Sequence, residues 1–464
     1  MCSHSWVRRA TLAVMSLAFA VSPRVYEAAG ADPAPRPNIV YILADDLGAF
    51  DVGWRGSRIK TPHLDSLAES GAKLEQFYVL PVCSPTRAAL LTGRYPIRYG
   101  LQSGVVRPWA DYGLPLEERL LPQALKTAGY ETAIVGKWHL GHFRREYLPT
   151  SRGFDHQYGH YNGALDYFTH DRDGGHDWHR NDRASYDEGY STHLIAKEAV
   201  QVVQRRDRKQ PLFLYVPFNA VHSPLQVPEN YAEPYGEFKK QRRAYAGMLT
   251  ALDEAVGQIV QAIESQGETG NTLFIFSSDN GGPNPGQVTD NGSLRAGKGT
   301  LYEGGVRVCA FASWRGHIQP GTVVDEPIHI VDWYPTLLKL AGGSGEQVLP
   351  LDGRDIWPTI TGKAPSPHEE IVLNITPGDG AIRAGDWKLV WHGGRRGNAR
   401  NAKAEYELYN LRDDPEEKRD LATVEPEKLE ELKTRFNRLA KSAVPPQQSG
   451  EKAADFKSPR VWGE

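Results

Sequence analysis

Short, nearly continuous apolar segments alternate with longer amphipathic segments along most of the chain, and this alternation restricts the fold more than any other feature. An apolar run of this kind is typical of a strand in a parallel sheet, because helices cover both faces of such a sheet. The strands predicted in this way are 38–43, 132–135, 212–216 and 272–276, and the predicted helices are 64–70, 120–128, 191–205 and 244–266. This order predicts an α/β fold with a large, mostly parallel mixed sheet flanked by helices.

Polar residues follow each predicted strand at the point where it ends. They are Asp45 and Asp46, Lys137 and His139, His222, and Asp279 and Asn280. Since ligands bind beyond the carboxyl ends of parallel strands, four separate segments deliver polar groups to one edge of the sheet. Taken singly, the Asp-Asp and Asp-Asn-Gly-Gly segments are equally typical of a helix cap or a tight turn. Taken together, their oxygen atoms form a ligand set suited to Ca²⁺, because a magnesium site usually keeps more water.

The length of 464 residues favours two domains, and the sequence pattern changes near residue 367. Beyond that point, 371–375, 381–391 and 406–411 are predicted strands with hairpin spacing, and 425–443 is a predicted amphipathic helix. We therefore expect a signal peptide at 1–31, a main domain at 37–366, a small α+β domain with an antiparallel sheet at 367–445, and a loose polar tail at 446–464.

The amino terminus has the pattern of an export signal. Arg8 and Arg9 precede an apolar run at 10–21, and small residues follow at 28–31. The apolar run is too short to span a bilayer comfortably, so we expect export, by the Sec or the twin-arginine route, without stable membrane insertion. A formal net charge of -3 without a polybasic block argues against a nucleic-acid partner.

Cys83 opens a Cys-Ser-Pro-Thr-Arg segment that continues into an apolar, helix-forming stretch. Pro85 suits the first turn of a helix, so Cys83 is predicted at or just before a helix amino terminus, which favours a bound anion. Arg87 lies four residues on and shares that helix face, although a surface position is the plainer interpretation of this residue alone. Further cationic or proton-handling residues are Lys137, His139, His222 and Lys298. A sulfate ester needs such a set, because its oxygens carry negative charge and its leaving alkoxide needs a proton.

These segments resemble the formylglycine-dependent sulfatases of the alkaline phosphatase superfamily, and within them the arylsulfatase B (N-acetylgalactosamine-4-sulfatase) group. The resemblance extends from about residue 38 to the last predicted helix. Besides the Cys83 segment, the motifs that carry it are 43–48, 57–65, 91–95, 135–141, 224–228 and 302–307. An alkaline phosphatase-like fold, with the catalytic domain at 37–366, is what this resemblance implies.

The resemblance also implies an activity and a role for each site residue. It implies that a formylglycine-generating enzyme oxidises Cys83 to formylglycine (3-oxoalanine), and that the hydrated aldehyde attacks a sulfate ester of a saccharide, with terminal N-acetylgalactosamine 4-sulfate of chondroitin or dermatan type as the nearest substrate. The Ca²⁺ ligands would be Asp45, Asp46, residue 83, Asp279 and Asn280. Arg87, Lys137 and Lys298 would hold the sulfate. His222, with Lys298, would protonate the leaving oxygen, and His139 would accept a proton from the nucleophile.

Some features depart from this family or leave other functions open. The chain lacks the disulfide cysteines of the animal enzymes, since only Cys2, Cys83 and Cys309 are present, and we interpret Cys309 as a small buried side chain. A periplasmic or secreted bacterial enzyme is therefore favoured over a lysosomal one. The alternatives are a phosphodiesterase or phosphonate hydrolase of the same superfamily, and a non-catalytic carbohydrate-binding protein if Cys83 stays unoxidised.

Two further sequence features have no assigned role in the family. The polar segment 154–190 contains His160, Asp166, Tyr167, His170, His176, Trp178 and His179. We interpret it as a sugar-recognition segment rather than a second metal site, because the histidine spacing is irregular; a solvated loop is the alternative. Asn291 and Asn374 match glycosylation acceptors, a match that has no consequence in a bacterial protein.

Overall fold

The computed structural model describes residues 1–2, 36–345, 349–393, 404–448 and 450–464. Arg36–Glu464 forms a single unit by its internal contacts. The signal peptide predicted at 1–31 lies outside the described residues apart from its first two, so it stays a prediction. None of the helices in the described ranges combines the length and the apolar character that a membrane span requires.

The elements predicted in the main domain are all present. The strands in the described residues are β1 (Asn38–Ala44), β2 (Ala72–Leu74), β3 (Phe77–Tyr78), β4 (Glu131–Lys137), β5 (His156–His160), β6 (Asp171–Arg172), β7 (Gly175–His176), β8 (His179–Arg180), β9 (Arg183–Ala184), β10 (Leu212–Pro217), β11 (Thr272–Ser278), β12 (Arg307–Val308), β13 (Ala310–Ser313), β14 (Thr322–Val324), β15 (Ile328–His329), β16 (Ile371–Ile375), β17 (Asp379–Ala384), β18 (Trp387–His392) and β19 (Glu405–Asn410). The α-helices there are α1 (Pro62–Glu69), α2 (Cys83–Thr92), α3 (Leu121–Thr127), α4 (Ser191–Arg205), α5 (Glu229–Ala232), α6 (Lys240–Ser265), α7 (Glu303–Val306), α8 (Trp333–Leu340), α9 (Trp357–Ile360) and α10 (Pro426–Ala440).

The central sheet joins ten of these strands in the order β14-β2-β13-β11-β1-β10-β4-β5-β8-β9. β1 pairs in parallel with β10 and β11, so that Ile39 lies opposite Phe213 and Leu273. β4 and β5 extend the parallel part, whereas β13 on one side and β8 and β9 on the other pair antiparallel. The prediction of a mostly parallel mixed sheet is confirmed, and the short edge strands escaped prediction because two to four residues carry too little periodicity.

Both faces of the central strands are covered. Ile39, Tyr41 and Leu43 of β1 point into one hydrophobic core, which also contains side chains of α2, α3 and α8. Val40 and Ile42 point into a second core on the opposite face, together with side chains of α1, α4 and α6. This two-sided burial is why β1 has no polar alternation, and it leaves the ends of the strands as the place for polar chemistry.

A separate antiparallel sheet follows residue 370, in the order β16-β17-β18-β19, and Leu432 and Phe436 of α10 lie in the core beside it. The single strand predicted at 381–391 is wrong, because the chain turns there and forms the hairpin β17–β18. Gly385 adopts a φ of 56° at this turn, a left-handed conformation that glycine adopts without strain. The division of the chain at 366/367 into two domains stays a prediction.

The tail predicted to be loose folds back onto the protein at several points. Gln447 N donates to Gly100 O at 2.7 Å, and Trp462 is only 3% exposed. Trp462 N donates to His176 O at 2.9 Å, and the indole packs edge-on to the His142 ring at 5.4 Å between ring centroids. Burial of the Trp462 side chain stabilises an ordered tail, even though most of the other residues of the tail are polar.

Candidate active site

The carboxyl ends of β1, β4, β10 and β11 meet at one edge of the central sheet, as predicted. Val221 N donates to Asp45 O at 2.9 Å and Asp45 N donates to Ala220 O at 3.0 Å, which ties the loop after β1 to the loop after β10. Asp279 N donates to Ala44 O at 3.0 Å and brings in the end of β11. The predicted site residues therefore come together in space, while their individual roles remain predictions.

Cys83 lies at the centre of this cluster and is the first residue of α2, as the proline two positions later predicts. Its Sγ is 3.5 Å from Asp45 Oδ1, from Asn280 Oδ1 and from Lys298 Nζ. Burial, and then the nearby Asp279 and Asp45 carboxylates, raise the pKa of the Cys83 thiol far above its usual range. The unmodified side chain is therefore a neutral thiol and a poor nucleophile.

Oxygen ligands surround the cysteine. Asn280 Nδ2 donates to Asp46 Oδ1 at 2.8 Å, and Asp46 N donates to Asp279 Oδ1 at 3.2 Å. Within the described residues, Asp45, Asp46, Cys83 and His222 each place one potential ligand atom within 4.8 Å of the others. Buried carboxylate and amide oxygens so close together suit a hard divalent cation. His222 joins this group, although the sequence assigned it to proton transfer alone.

Three cations counterbalance the buried carboxylates. Arg87 is fully buried, contrary to a surface position, and donates to Asp279 Oδ2 from Nη2 at 2.8 Å and from Nε at 3.1 Å. Lys137 Nζ contacts Asp45 Oδ2, and Lys298 Nζ lies 2.6 Å from Asp46 Oδ1. Lys137 and Lys298 therefore place positive charge beside the carboxylates, where a bound anion could also contact it.

The cations change the titration of the carboxylates. Although burial opposes them, Lys137, His222 and Arg87 lower the pKa of Asp45. Likewise, His222 and Lys298 lower the pKa of Asp46 against the effect of burial. Both carboxylates are therefore ionised at neutral pH, the form that a metal ion binds.

His139 is buried behind the cluster in a fixed orientation. Its φ is 59°, and Ser84 Oγ donates to its carbonyl oxygen at 2.8 Å, next to the cysteine. Its Nε2 lies 3.1 Å from the carbonyl oxygen of Val106, which can only accept, so Nε2 carries the proton of the neutral ring. Nδ1 has no hydrogen-bond partner among the described residues. Burial, followed by the charges of Lys137 and Arg87, lowers the pKa of His139 far below its usual value, so Nδ1 is a free lone pair.

His222 lies on the open side of the cluster. Its Nδ1 donates to Ser223 O at 2.5 Å, and its Nε2 lies 3.6 Å from Asp46 Oδ2. Together with Asp46 and Lys298 it lines a cavity of about 540 Å³. The other lining residues of this cavity are Val221, Ser223, Leu225, Gln241, Tyr245, Pro283, Asn284 and Val288. The cavity therefore gives a ligand of sugar size access to the cluster from one side.

Asn291 is a site residue that the sequence did not identify as functional. Its Oδ1 accepts from Ala49 N at 3.3 Å and from Gly282 N at 3.1 Å, and its Nδ2 donates to Gly282 O and Ala296 O at 3.0 Å each. A single buried carboxamide thus joins the loop after Asp46, the loop after Asn280 and the loop that carries Lys298. No local pattern signals this, because all three partners are backbone groups distant from or irregularly spaced around the residue.

The segment 154–190 does not match the predicted sugar-recognition surface. His160, Tyr167, His170, Trp178 and His179 are each at most 1% exposed. His160 and His170 both stack on Trp178, at 6.2 Å and 4.6 Å between ring centroids, whereas Tyr167 stacks on Tyr190 and His179 stacks on Tyr161. These side chains therefore pack as core residues. Tyr167 OH contacts the carbonyl oxygens of Asn219 at 2.6 Å and of His222 at 2.7 Å. This segment therefore stabilises the loop that carries His222.

Comparison with known proteins gives a consistent result. The Sulfatase family model matches residues 37–344. Arylsulfatase J of Mus musculus is 41% identical over 90% of this chain and 78% of its own length, and N-acetylgalactosamine-6-sulfatase of Mus musculus is 37% identical over 72% of this chain and 67% of its own length.

A solved structure supports the fold over the same extent. The crystal structure of Ps i-CgsB in complex with k-i-k-neocarrahexaose superposes with a TM-score of 0.82 at 32% identity and covers 89% of this chain and 94% of that one. The predicted alkaline phosphatase-like fold and the predicted resemblance to the sulfatases are thereby confirmed. The chain belongs to the sulfatase family and is a sulfuric ester hydrolase.

Proposed function

We propose that this chain hydrolyses sulfate esters of a sulfated saccharide, with terminal N-acetylgalactosamine 4-sulfate as the first candidate, and that it uses Ca²⁺ and a formylglycine made from Cys83. The observation that carries the proposal is the position of Cys83 at the amino terminus of α2. Its Sγ lies 3.5 Å from Asp45 Oδ1, from Asn280 Oδ1 and from Lys298 Nζ. A plain thiol held neutral in this place has no evident use, whereas a hydrated aldehyde carries two hydroxyls on one carbon.

The residues present fit the metal and the modified cysteine. Asp45, Asp46, Asp279 and Asn280, with residue 83, would hold Ca²⁺, since their side chains offer oxygen atoms at or below 4% exposure. When in place, Ca²⁺ would neutralise negative charge on the sulfate, and the aldehyde hydrate would supply the attacking hydroxyl. Cys83 is only 2% exposed, so a formylglycine-generating enzyme would have to act before the chain folds.

The sulfate group is held by the chain's own cations. Lys298 Nζ lies 3.5 Å from Cys83 Sγ. Arg87 and Lys137 are fully buried, and both contact the carboxylate of Asp45. The amino terminus of α2 adds backbone N–H groups and a partial positive charge. These groups would orient the sulfur towards residue 83 and would hold the charge that develops on the sulfate oxygens.

We assign two different proton transfers to His139 and His222. His222 lines the cavity from which a sugar would enter, so it would deliver a proton to the leaving sugar oxygen, with Lys298 beside it. His139 is buried, and its Nδ1 lone pair is free among the described residues, so it would accept a proton from residue 83. The assignment depends on position: one ring faces the cavity and the other faces the interior.

Export to the periplasm or outside the cell is part of this proposal. It rests on the charged and apolar pattern at 8–21, which is typical of an export signal. A sulfated polysaccharide outside the cytoplasm would be accessible to such an enzyme.

The test is sulfate release from paired 4-sulfated and 6-sulfated N-acetylgalactosamine saccharides by protein that is co-expressed with a formylglycine-generating enzyme. Peptide mass spectrometry across residue 83 verifies the aldehyde, and Cys83→Ala is the matched control. Release from the 4-sulfate alone would support the substrate. Release of sulfate from a simple aryl sulfate but from neither saccharide would move the substrate to another glycan, and no release from any sulfate ester by the confirmed aldehyde form would refute the proposal.

A further inference from the structure

Among the described residues, the acidic and basic side chains that line the cavity beside the cluster all belong to the site itself. Apart from Asp46, His222 and Lys298, its lining consists of apolar residues and of neutral polar ones such as Gln241 and Asn284. A second charged group on the sugar that carries the sulfate would therefore lack an ionic partner there and would lose its hydration on entry. The lining favours a sugar that is uncharged apart from its sulfate.

A second cleft of about 600 Å³ lies next to this cavity and has a different character. Four cationic side chains line it, against the two carboxylates of Glu237 and Asp290. The cationic residues are Arg55, Arg58, Lys239 and Arg242. We call this space the basic cleft. The aromatic rings of Phe50 and Phe238 line it as well, and both rings lie against guanidinium groups of the cleft.

The cations of the basic cleft fall into two pairs. Arg55 lies 2.8 Å from Glu75, and Arg242 lies 2.5 Å from the buried Asp51, so both are held in the walls. Arg58 is 70% exposed in its side chain, and its ion-pair partner among the described residues is Glu237 at 2.9 Å, which is 61% exposed. Such a surface pair contributes little and is readily exchanged for another anion.

Lys239 and the ring of Phe238 complete the outer part of the basic cleft. Lys239 is exposed and has no ion-pair partner within the described parts of the chain. The Arg58 guanidinium lies 4.9 Å from the centroid of Phe238, and that of Arg242 lies 5.6 Å from it, so the ring holds both guanidinium groups in place.

One thin wall separates the basic cleft from the cavity. Gln241 and Val288 line the cavity, and their chain neighbours Arg242, Gln287 and Thr289 line the cleft. Arg242 Nη1 donates to Val288 O at 2.9 Å and closes the wall. Consecutive units of a glycan chain could therefore occupy the two spaces at once.

We propose that the basic cleft is a subsite for a uronate next to the neutral sugar whose sulfate is removed. This inference rests on the proposed function and specifies its substrate class: a chain in which a neutral sulfated sugar adjoins an anionic one. Arg58 and Lys239 bind the carboxylate of that uronate.

The test uses two matched tetrasaccharides, chondroitin 4-sulfate tetrasaccharide and the same compound with its uronate carboxyls reduced. Isothermal titration at low salt gives Kd for each with the full-length protein in a Cys83→Ala background, in which neither compound is hydrolysed; the variants compared below carry the same background. We expect the anionic compound to bind about tenfold more tightly than the reduced one, since two exposed charge-assisted contacts are gained. The Arg58→Gln/Lys239→Gln double variant should bring this ratio to about one.

The double variant Lys197→Gln/Lys209→Gln is the charge-matched control, because both lysines are exposed and neither lines the cleft or the cavity. It should keep the ratio of the Cys83→Ala protein alone. An unchanged ratio in the Arg58→Gln/Lys239→Gln variant, or equal Kd values for the two compounds with the Cys83→Ala protein alone, would overturn the subsite. Hydrolysis of an aryl sulfate by the corresponding proteins with Cys83 intact is measured separately, so that failure of the proposed sulfatase chemistry is distinguished from failure of the subsite.

Discussion

Replacing Asn291 by aspartate tests whether the geometry of the site depends on one buried carboxamide. The substitution keeps the shape of the side chain and its two acceptor contacts with Ala49 N and Gly282 N. It removes the Nδ2 donor, so an oxygen would face the carbonyl oxygens of Gly282 and Ala296, each 3.0 Å from the present nitrogen. The loop that carries Lys298 would then lose one of its links to the loop that carries Asn280, and it would keep the longer hydrogen bond from Lys298 N to Gly282 O at 3.4 Å.

The structure sets the size of the effect. Ala296 O would be left without a donor, whereas Gly282 O still accepts from Lys298 N. One buried acceptor left without a donor costs about 1–3 kcal/mol of unfolding free energy. Part of this cost is avoided if the new carboxyl takes up a proton or if the loop moves. Movement would shift Lys298 away from Cys83, and a displacement of about 1 Å at a reacting group can lower the rate about 100-fold. We therefore expect kcat to fall about 10- to 100-fold at a temperature where the variant is still folded.

The assay measures kcat and KM for an aryl sulfate together with urea unfolding. Asn374→Asp is the matched control: Asn374 is 4% exposed, its Nδ2 donates to Gln102 O at 3.0 Å, and it lies in β16, outside the site. This control should lower stability and leave kcat near the wild-type value. Equal kcat values for Asn291→Asp and wild type, with both proteins fully folded, would refute the positioning argument.

Three further predictions concern the site and the scaffold. Cys83→Ala should abolish sulfate release while changing the unfolding temperature little, and turnover by this variant would contradict the nucleophile assignment. Ca²⁺ should raise the unfolding temperature and a chelator should reverse the rise, because a ligand at 100 times its Kd stabilises by about 2.7 kcal/mol; a metal-independent unfolding temperature and activity would contradict the ligand set. Despite its burial, hydrogen bonds from His156 and Arg180 lower the pKa of Glu198 from 4.5 to about 2. Its stabilising contribution is therefore present above pH 4.5 and disappears as the pH falls towards 2, so the stability difference between wild type and Glu198→Gln in urea should shrink over that range.

The sequence was sufficient for those parts of the fold that depend on periodicity. β1 has an unbroken apolar run because both of its faces are covered, and α4 has the predicted bounds because its apolar stripe is regular. The hairpin β17–β18 was missed although Gly385 marks it, because both arms are apolar enough to be taken for one strand. The tail was misjudged because one buried tryptophan, Trp462, outweighs a polar composition.

For the site, the sequence determined which chemical groups were available and at which strand ends they would lie. Asp45, Asp279 and His222 follow strands of one parallel sheet, so their delivery to the same edge follows from the fold class. That these strands are direct neighbours is decided by the tertiary structure. Several details arise only when segments distant in the sequence meet in the folded chain. Asn291 bonds to backbone groups of three loops, the free nitrogen of His139 depends on where Val106 O lies, and the basic cleft exists only because the loops at 50–58, 236–242 and 286–290 face one another. Sequence patterns record the burial and the local geometry of each segment, whereas hydrogen-bond partners and cavity walls depend on distances between segments that only tertiary packing sets.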